Sequence, residues 1–138
     1  MMNLLDAVKA RHSVRNYTDR PIEDEKVSII RKALDDCNRE SGLHFQLILN
    51  EPKAFSKGLF NYGQFSGVQN YLALAGPVKA DSKEVVGYYG EKIVLLMQTL
   101  GLNTCWVGLT FKNIKTAYEL FPGEELKMVI ACGYAVTN

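Results

Sequence analysis

The residues with the clearest capacity for chemistry form the pentapeptide Arg11-His12-Ser13-Val14-Arg15. Its two guanidinium groups lie four residues apart, with a hydroxyl and an imidazole between them. On a helical turn, or on the turn that leaves a helix, side chains at this spacing point the same way. Two planar forks and a hydroxyl suit a phosphate better than a carboxylate, because a phosphate has more terminal oxygens to satisfy. The pentapeptide therefore indicates either a phosphate site or a solvated basic helix end.

Composition limits the partners that such an anion site could serve. The 138 residues include 16 Lys and Arg and 15 Asp and Glu, which gives a formal net charge of +1. A chain so close to neutral has no general attraction for nucleic acid or an anionic membrane surface. No apolar run approaches the roughly 20 residues that span a bilayer. Asp6, Lys9 and Arg11 interrupt the apolar stretch that a signal peptide would need. We therefore expect no nucleic-acid or membrane partner.

Length and cysteine usage predict a single domain over residues 1–138 of a cytoplasmic protein. The hydrophobic fraction of 47% and the charged fraction of 22% are ordinary for a globular chain. The three cysteines, Cys37, Cys105 and Cys132, form no CxxC pair, so neither a zinc site nor a disulfide framework is expected. We expect these thiols to be reduced and buried.

Apolar spacing predicts the helices. Leu4, Leu5 and Val8 form the stripe of a short helix that packs one face and delivers the pentapeptide at its C-terminal end. Pro21 suits the first turn of a new helix. The further predicted helices are Ile22 to about Cys37, Pro52 to Phe60, a long helix from Val86 to Leu100 that ends at Gly101, and Asn113 to Phe121. The C-terminal half of the long helix is apolar nearly all round, which is typical of a central, buried helix.

Three strands are predicted, at Leu43 to Leu49, Val68 to Ala75 and Leu126 to Tyr134. In the first, His44, Gln46 and Ile48 form a partly polar face, which looks either onto solvent or onto a cavity. Asn61 to Gly67 is predicted to be a loop, and Gly101 to Gly108 mixes small, apolar and turn-forming residues. The order α-α-β-α-β-α-α-β indicates helices packed on one small sheet, either α+β or α/β.

Two motifs in this chain resemble those of the nitroreductase family of flavin enzymes. The segment Arg11 to Tyr17, at the end of an N-terminal helix, is similar to the opening motif of the family. The long helix and the following Gly-Leu-Asn-Thr-Cys-Trp-Val-Gly at 101–108 resemble its second motif. The strand from Leu126 to Tyr134 resembles the one that follows in the family. The resemblance implies a nitroreductase-like α+β sandwich, with a small, mainly antiparallel sheet flanked by helices.

The resemblance also implies FMN held at a homodimer interface. The residues that would contact its phosphate and ribityl chain are Arg11, His12, Ser13 and Arg15. The turn that would lie along the isoalloxazine ring, with backbone N–H groups near N5 and O4, comprises Trp106, Val107, Gly108 and Leu109. A donor near N5 steadies charge as a flavin accepts hydride, and an apolar wall excludes water.

By the same resemblance, NAD(P)H would reduce the flavin and leave, and a nitroaromatic, quinone or similar acceptor would take its place. No protein nucleophile or general base is required, because the flavin carries the chemistry. The resemblance thus implies a homodimeric oxidoreductase.

The sequence departs from the family pattern in three places. Glu40 to Phe45 lacks the usual Asn-x-Gln-Pro-Trp entry into the first strand, and Asn103 replaces a glycine, which is tolerable since Asn also accepts left-handed backbone angles. The chain ends at Asn138, where family members usually continue into a segment that embraces the partner subunit. These departures keep a second hypothesis open, a module that binds a flavin or another phosphorylated ligand without efficient turnover.

Several residues near the motifs have two interpretations each. Cys105 is either redox-active or a buried structural thiol, and Trp106 is either a flavin neighbour or core. Tyr88 and Tyr89 either line a substrate pocket or pack. His12 and His44 do not have metal-site spacing.

Overall fold

The computed structural model describes residues 3–52, 65–79, 82–107 and 117–136. The helices in these ranges are α1 (Leu4–Ala10), α2 (Asp24–Ser41) and α3 (Ser82–Thr99). The strands are β1 (His44–Ile48), β2 (Asn70–Pro77), β3 (Asn103–Val107) and β4 (Glu124–Gly133). They form one sheet in the order β1-β2-β4-β3, and every neighbouring pair is antiparallel. The predicted α+β architecture with a small antiparallel sheet is confirmed.

The helix ends follow from local chemistry. Asn3 caps α1, because its Oδ1 accepts a hydrogen bond of 2.8 Å from the backbone N–H of Asp6. α2 continues beyond the predicted end at Cys37. Its last turn is polar, so the apolar pattern does not show it, and the helix ends before Gly42, which has a φ of +79°. Gly101, with φ of +82°, follows α3 as predicted.

The sheet has a hydrophobic cluster on each face. α2 and α3 cover one face, where Phe45, Leu72 and Ile130 of three strands meet Ile30 and Met97 of the helices. Irregular chain covers the opposite face. The core side chains there include Val14, Tyr17, Phe65, Val68, Tyr71, Cys105, Val107 and Tyr118. The sheet is therefore buried on both sides, and its second layer contains the segment that carries the opening motif.

The polar face of β1 is partly buried and binds another segment of the chain. Gln46 hydrogen-bonds the backbone of Glu119 in both directions, as donor over 2.8 Å and as acceptor over 2.7 Å. His44 Nδ1 lies 2.8 Å from Glu124 Oε1, and its ring stacks on Phe121 with 4.3 Å between centroids. The residues that looked ambiguous in the sequence therefore hold the segment 119–124 against the sheet.

Further sequence predictions need correction. β3 was missed as a strand, because five residues between glycines are too few for a periodic pattern. Residues 117–121, the described end of the helix predicted at Asn113 to Phe121, form a turn, a bend and irregular chain, which contacts Gln46 and His44. β2 extends to Pro77, which its terminal position allows. The predicted helix after Pro52 lies outside the described residues, as does most of the predicted loop that follows it.

The apolar stripe of α1 does not pack as expected. Leu4, Leu5 and Val8 are 60%, 66% and 57% exposed, and the buried residue of α1 is Ala7. α1 contacts α3. Ala7 is small, which lets the two helices approach closely and leaves the larger side chains facing outward.

Candidate cofactor site

The pentapeptide is extended rather than helical. α1 ends at Ala10, and Arg11 already has extended backbone angles, φ −64° and ψ 132°. Ser13 forms a parallel bridge with Thr104 of β3, and the N–H of Val14 donates to the Thr104 carbonyl over 3.0 Å. Alternate side chains of an extended segment share a side. Arg11, Ser13 and Arg15 are therefore grouped by the two-residue repeat of a strand, not by the helical spacing that first suggested them.

Backbone contacts fix the segment and leave the side chains of Ser13 and Arg15 available. Val14 is 8% exposed and anchors it in the core, whereas His12, Ser13 and Arg15 are exposed. The Arg15 carbonyl accepts a hydrogen bond of 2.9 Å from Ser66. Within the described ranges, the side chains of Ser13 and Arg15 make no hydrogen bond or ion pair, so a ligand would not have to displace a protein partner.

Arg11 is held close to α3 and has an unsatisfied donor. Its Nε lies 3.8 Å from Oε2 of Glu91, and its side chain is 26% exposed. Its Nη1 is buried without a hydrogen-bond partner among the described residues. A buried donor left unpaired costs about 1–3 kcal/mol, so this atom is a candidate contact for an anionic group. The residues present thus fit a phosphate.

The second motif meets the first at Glu91. Trp106 of β3 points to the α3 side of the sheet, where a Cβ added at Gly90 would lie 2.5 Å from Cη2 of the indole. The indole Nε1 donates to Oε1 of Glu91 over 3.2 Å. One carboxylate therefore contacts both Arg11 and Trp106, which brings the two motifs to the same place on α3.

The other residues of the second motif are either buried in the core or lie outside the described residues. Val107 is 3% exposed and belongs to the cluster opposite the helices. Gly108 and Leu109, whose N–H groups are expected near the flavin ring, lie outside the described residues. Cys105 is 1% exposed, its Sγ donates to the Trp106 carbonyl over 3.5 Å, and this burial favours the structural interpretation of the thiol. All three cysteines are free and buried, as predicted.

Asn103 does not use the left-handed conformation that the substitution for glycine suggested. It begins β3 with a negative φ, and its Oδ1 accepts a hydrogen bond of 3.1 Å from the N–H of Ala135. The left-handed position of this motif is Gly101. The side chain at 103 thus ties β3 to the end of β4.

Tyr17, the last residue of the opening motif, is buried. It is 4% exposed, its N–H donates to the Ser66 carbonyl over 2.8 Å, and burial raises the pKa of its phenol above the ordinary value. A Cβ at Gly67 would lie 2.2 Å from the Tyr17 carbonyl oxygen. Gly67 is therefore required for the close approach that holds this end of the motif in place.

Sequence reasoning missed Gly90, Glu91 and Thr104. A signal for the first two was present, since a glycine followed by a carboxylate lies in the middle of the long helix. Thr104 gave no signal, because its role as a backbone partner of Val14 depends on pairing between distant segments. Tyr88 is 61% exposed, whereas Tyr89 packs against the core, in agreement with one of its two interpretations, and donates to Glu40 over 2.9 Å.

A family model described as "Putative TM nitroreductase" matches residues 3–138 of the chain. The chain belongs to the nitroreductase family. No curated protein matches the sequence. Among the described residues, no helix meets the length and hydropathy needed to cross a membrane, and no group of His, Cys, Asp and Glu is arranged to hold a metal ion.

Solved structures of nitroreductases share the fold at low sequence identity. A nitroreductase with bound FMN from Bacteroides fragilis is 19% identical, with a TM-score of 0.73, over 99% of this chain and 90% of that one. An FMN-dependent nitroreductase from Clostridium difficile is 20% identical, with a TM-score of 0.71, over 97% and 88%. A nitroreductase family protein from the same species is 20% identical, with a TM-score of 0.70, over 99% and 87%.

Proposed function

We propose that this nitroreductase family member is an FMN-dependent NAD(P)H oxidoreductase. The observation that carries the proposal is the contact of one carboxylate, that of Glu91, with both family motifs, through Arg11 and Trp106. The exposed side chains of Ser13 and Arg15 follow Arg11 on the same segment. The buried, unpartnered Nη1 of Arg11 supports an anionic ligand at this place. Solved structures with the same fold are described as FMN-dependent or contain bound FMN, and FMN carries the phosphate that such a site would bind.

The proposed site assigns a task to each residue. Arg11, His12, Ser13 and Arg15 bind the phosphate and ribityl chain through charge-assisted hydrogen bonds. Trp106 and Val107, with Gly108 and Leu109 after them, orient the isoalloxazine ring and exclude water. When bound, FMN would supply two-electron transfer from NAD(P)H to a nitroaromatic, quinone or similar acceptor. The protein's own part is binding, orientation and exclusion of water, with no side chain in a covalent role.

We further propose a cytoplasmic homodimer. The support for a second copy is the outward apolar side of α1, where Leu4, Leu5 and Val8 are each more than half exposed. Large apolar side chains clustered on a surface are typical of a protein interface. The support for the cytoplasm is three free cysteines. The single domain over residues 1–138 stays a prediction.

The proposal is tested by colour and by anaerobic reduction. The purified chain, reconstituted with FMN, should be yellow, and NADH or NADPH should bleach it in the absence of oxygen. Addition of a nitroaromatic or a quinone should then restore the colour. A yellow protein that no nicotinamide bleaches would instead support the binding module. A colourless protein that does not take up FMN would overturn the proposal.

A further inference from the structure

A cavity of about 540 Å³ lies between the N-terminal half of α3 and the first half of β4. This volume is within the range of small-molecule sites. Its apolar walls are Val86, Trp106, Leu126 and Met128. Among the residues that the structure describes, the lining also includes Lys83, Glu125 and Lys127 but none of residues 11–15.

A β-bulge positions Lys127 at this cavity. In the pairing of β2 with β4, Leu74 faces Met128 but Ala75 faces Leu126, so Lys127 is the extra residue. Bulges re-aim a side chain and often occur beside functional sites. The Lys127 side chain is only 8% exposed, and its Nζ donates to Oε2 of Glu125 over 2.8 Å.

The burial of Lys127 is unfavourable for its charged group. An ammonium loses hydration free energy when it is buried, and an apolar side chain could fill the same space without that loss. An ammonium has three N–H donors, and the described residues accept one hydrogen bond from Lys127. The group therefore retains capacity to bind an oxygen atom of a ligand.

The lining favours one chemical class of ligand. The described lining includes two lysines, Lys83 and Lys127, and one acidic residue, Glu125, so this part of the wall has an excess of positive charge. The indole of Trp106 is held by Glu91, and with Met128 it offers an apolar surface that suits an aromatic ring. We propose that this cavity binds a small aromatic carboxylate, with its ring against Trp106 and its carboxylate at Lys127 and Lys83.

Trp106 is the single tryptophan of the chain, so its fluorescence reports on this cavity directly. The probes are 4-nitrobenzoate and nitrobenzene, which differ in the carboxylate, with N-acetyltryptophanamide as the control for inner-filter quenching. We expect saturable quenching by 4-nitrobenzoate, with an affinity about tenfold or more above that of nitrobenzene, the scale of a charge-assisted hydrogen bond. Quenching that is linear and equal to that of the free indole would overturn the proposal.

Variants separate the cavity from a surface effect. A Cβ built at Gly87 meets no atom within 4 Å, so Gly87→Leu can extend into the cavity, and Gly87→Ala is the matched control. We expect Gly87→Leu to weaken both probes about tenfold or more and Gly87→Ala to leave them unchanged. Lys127→Met should remove the preference for 4-nitrobenzoate and retain nitrobenzene. Should that variant not fold, exposed Lys83→Met must reduce the same preference. Unchanged binding in Gly87→Leu would contradict the site.

A last comparison distinguishes this inference from the proposed function. The affinity for 4-nitrobenzoate is measured by calorimetry without FMN and with saturating FMN. Trp106 belongs to both sites, but its indole lines the cavity, whereas the flavin ring is proposed to lie along the backbone of residues 106–109. Equal affinities are therefore expected. Competition between the two ligands would make the cavity part of the flavin site and overturn the inference. Binding of 4-nitrobenzoate by a protein that takes up no FMN would support the inference and contradict the proposed function.

Discussion

Trp106 donates a hydrogen bond from its indole Nε1 to Oε1 of Glu91, over 3.2 Å. The other oxygen of the same carboxylate lies 3.8 Å from Nε of Arg11. Glu91 belongs to α3, the helix that packs on the sheet beside β3 and also contacts α1. The first residue of one family motif and the aromatic residue of the other are therefore oriented by one group, which makes the proposed flavin site a single unit.

Glu91 should contribute to stability chiefly through the indole. Glu91→Gln keeps an acceptor for Trp106 and removes the ion pair with Arg11, which is partly exposed and worth about 0–1 kcal/mol. Glu91→Ala removes both contacts and should lower the free energy of unfolding by about 1 kcal/mol more than Glu91→Gln does. Urea unfolding followed by Trp106 fluorescence measures both. Equal losses in the two variants would show that the ion pair, not the indole, is the important contact.

Gly90 and Gly87 should respond oppositely to the same substitution. An alanine in place of glycine usually stabilises a helix interior by about 1 kcal/mol, and Gly87→Ala should do so because its Cβ meets nothing within 4 Å. Gly90→Ala would bring the Cβ to 2.5 Å from Cη2 of Trp106. Overpacking of this kind costs about 1–3 kcal/mol, so we expect a net loss of stability. Thermal unfolding of the two variants is the measurement, and stabilisation by both would refute the close packing of Trp106.

The sequence predicted those elements whose pattern is local. Alternation at 43–49 identified both β1 and its buried side, since Phe45 is 2% exposed and Leu47 is 5% exposed. The long apolar run correctly indicated that the C-terminal half of α3 is buried. The basic residues of the opening motif were identified by type, although their grouping follows an extended segment rather than a helical turn.

Features that depend on distant partners were not predictable in this way. β3 is recognisable as a strand only through β4 and the bridge from Ser13 to Thr104. The bulge at Lys127 arises from a mismatch between two strands, and neither strand alone shows it. An apolar stripe usually marks the buried side of a helix, but in α1 it is exposed, because Ala7, not the larger residues, provides the contact with the rest of the chain.

Stability should depend on pH through Glu23. A hydrogen bond from the hydroxyl of Tyr134, with help from Arg20, lowers the pKa of Glu23 from its ordinary 4.5 to about 2. A pKa that is lower in the folded chain gives stability that is complete above pH 4.5 and is lost as the pH falls toward 2. Tyr134→Phe removes the main cause of the shift.

The urea midpoint of Tyr134→Phe should therefore lie below that of the wild type at neutral pH, and the difference should shrink between pH 4.5 and pH 2. The control is Tyr88→Phe, because Tyr88 is exposed and does not contact this carboxylate. Its difference from the wild type should not change with pH. If the difference in urea midpoint between Tyr134→Phe and the wild type stays constant or grows in acid, Tyr134 is not the main cause of the lowered Glu23 pKa.

Asn38 should protect the outer edge of β1. Its Oδ1 accepts a hydrogen bond of 2.8 Å from the N–H of Phe45, and its Nδ2 donates to the Phe45 carbonyl over 3.1 Å. Asn38→Leu leaves two backbone groups of an edge strand unpaired and should lower the free energy of unfolding by about 2 kcal/mol. Ser28→Leu, at an exposed position of the same helix, is the matched control. Chemical denaturation measures the free energy of unfolding of both variants. Equal stability of the two would show that Asn38 does not protect the edge of β1.

The most direct test of the flavin site compares FMN with riboflavin, which lacks the phosphate, in the wild type and in Arg15→Ala. Removal of one charge-assisted contact should weaken FMN binding by on the order of 2 kcal/mol, about thirtyfold, and leave riboflavin binding unchanged. Arg39→Ala, which removes an exposed arginine of α2, is the control and should change neither affinity. The account predicts a loss confined to FMN and to Arg15→Ala. FMN affinity that is unchanged in Arg15→Ala, or that falls equally with riboflavin affinity, would contradict it.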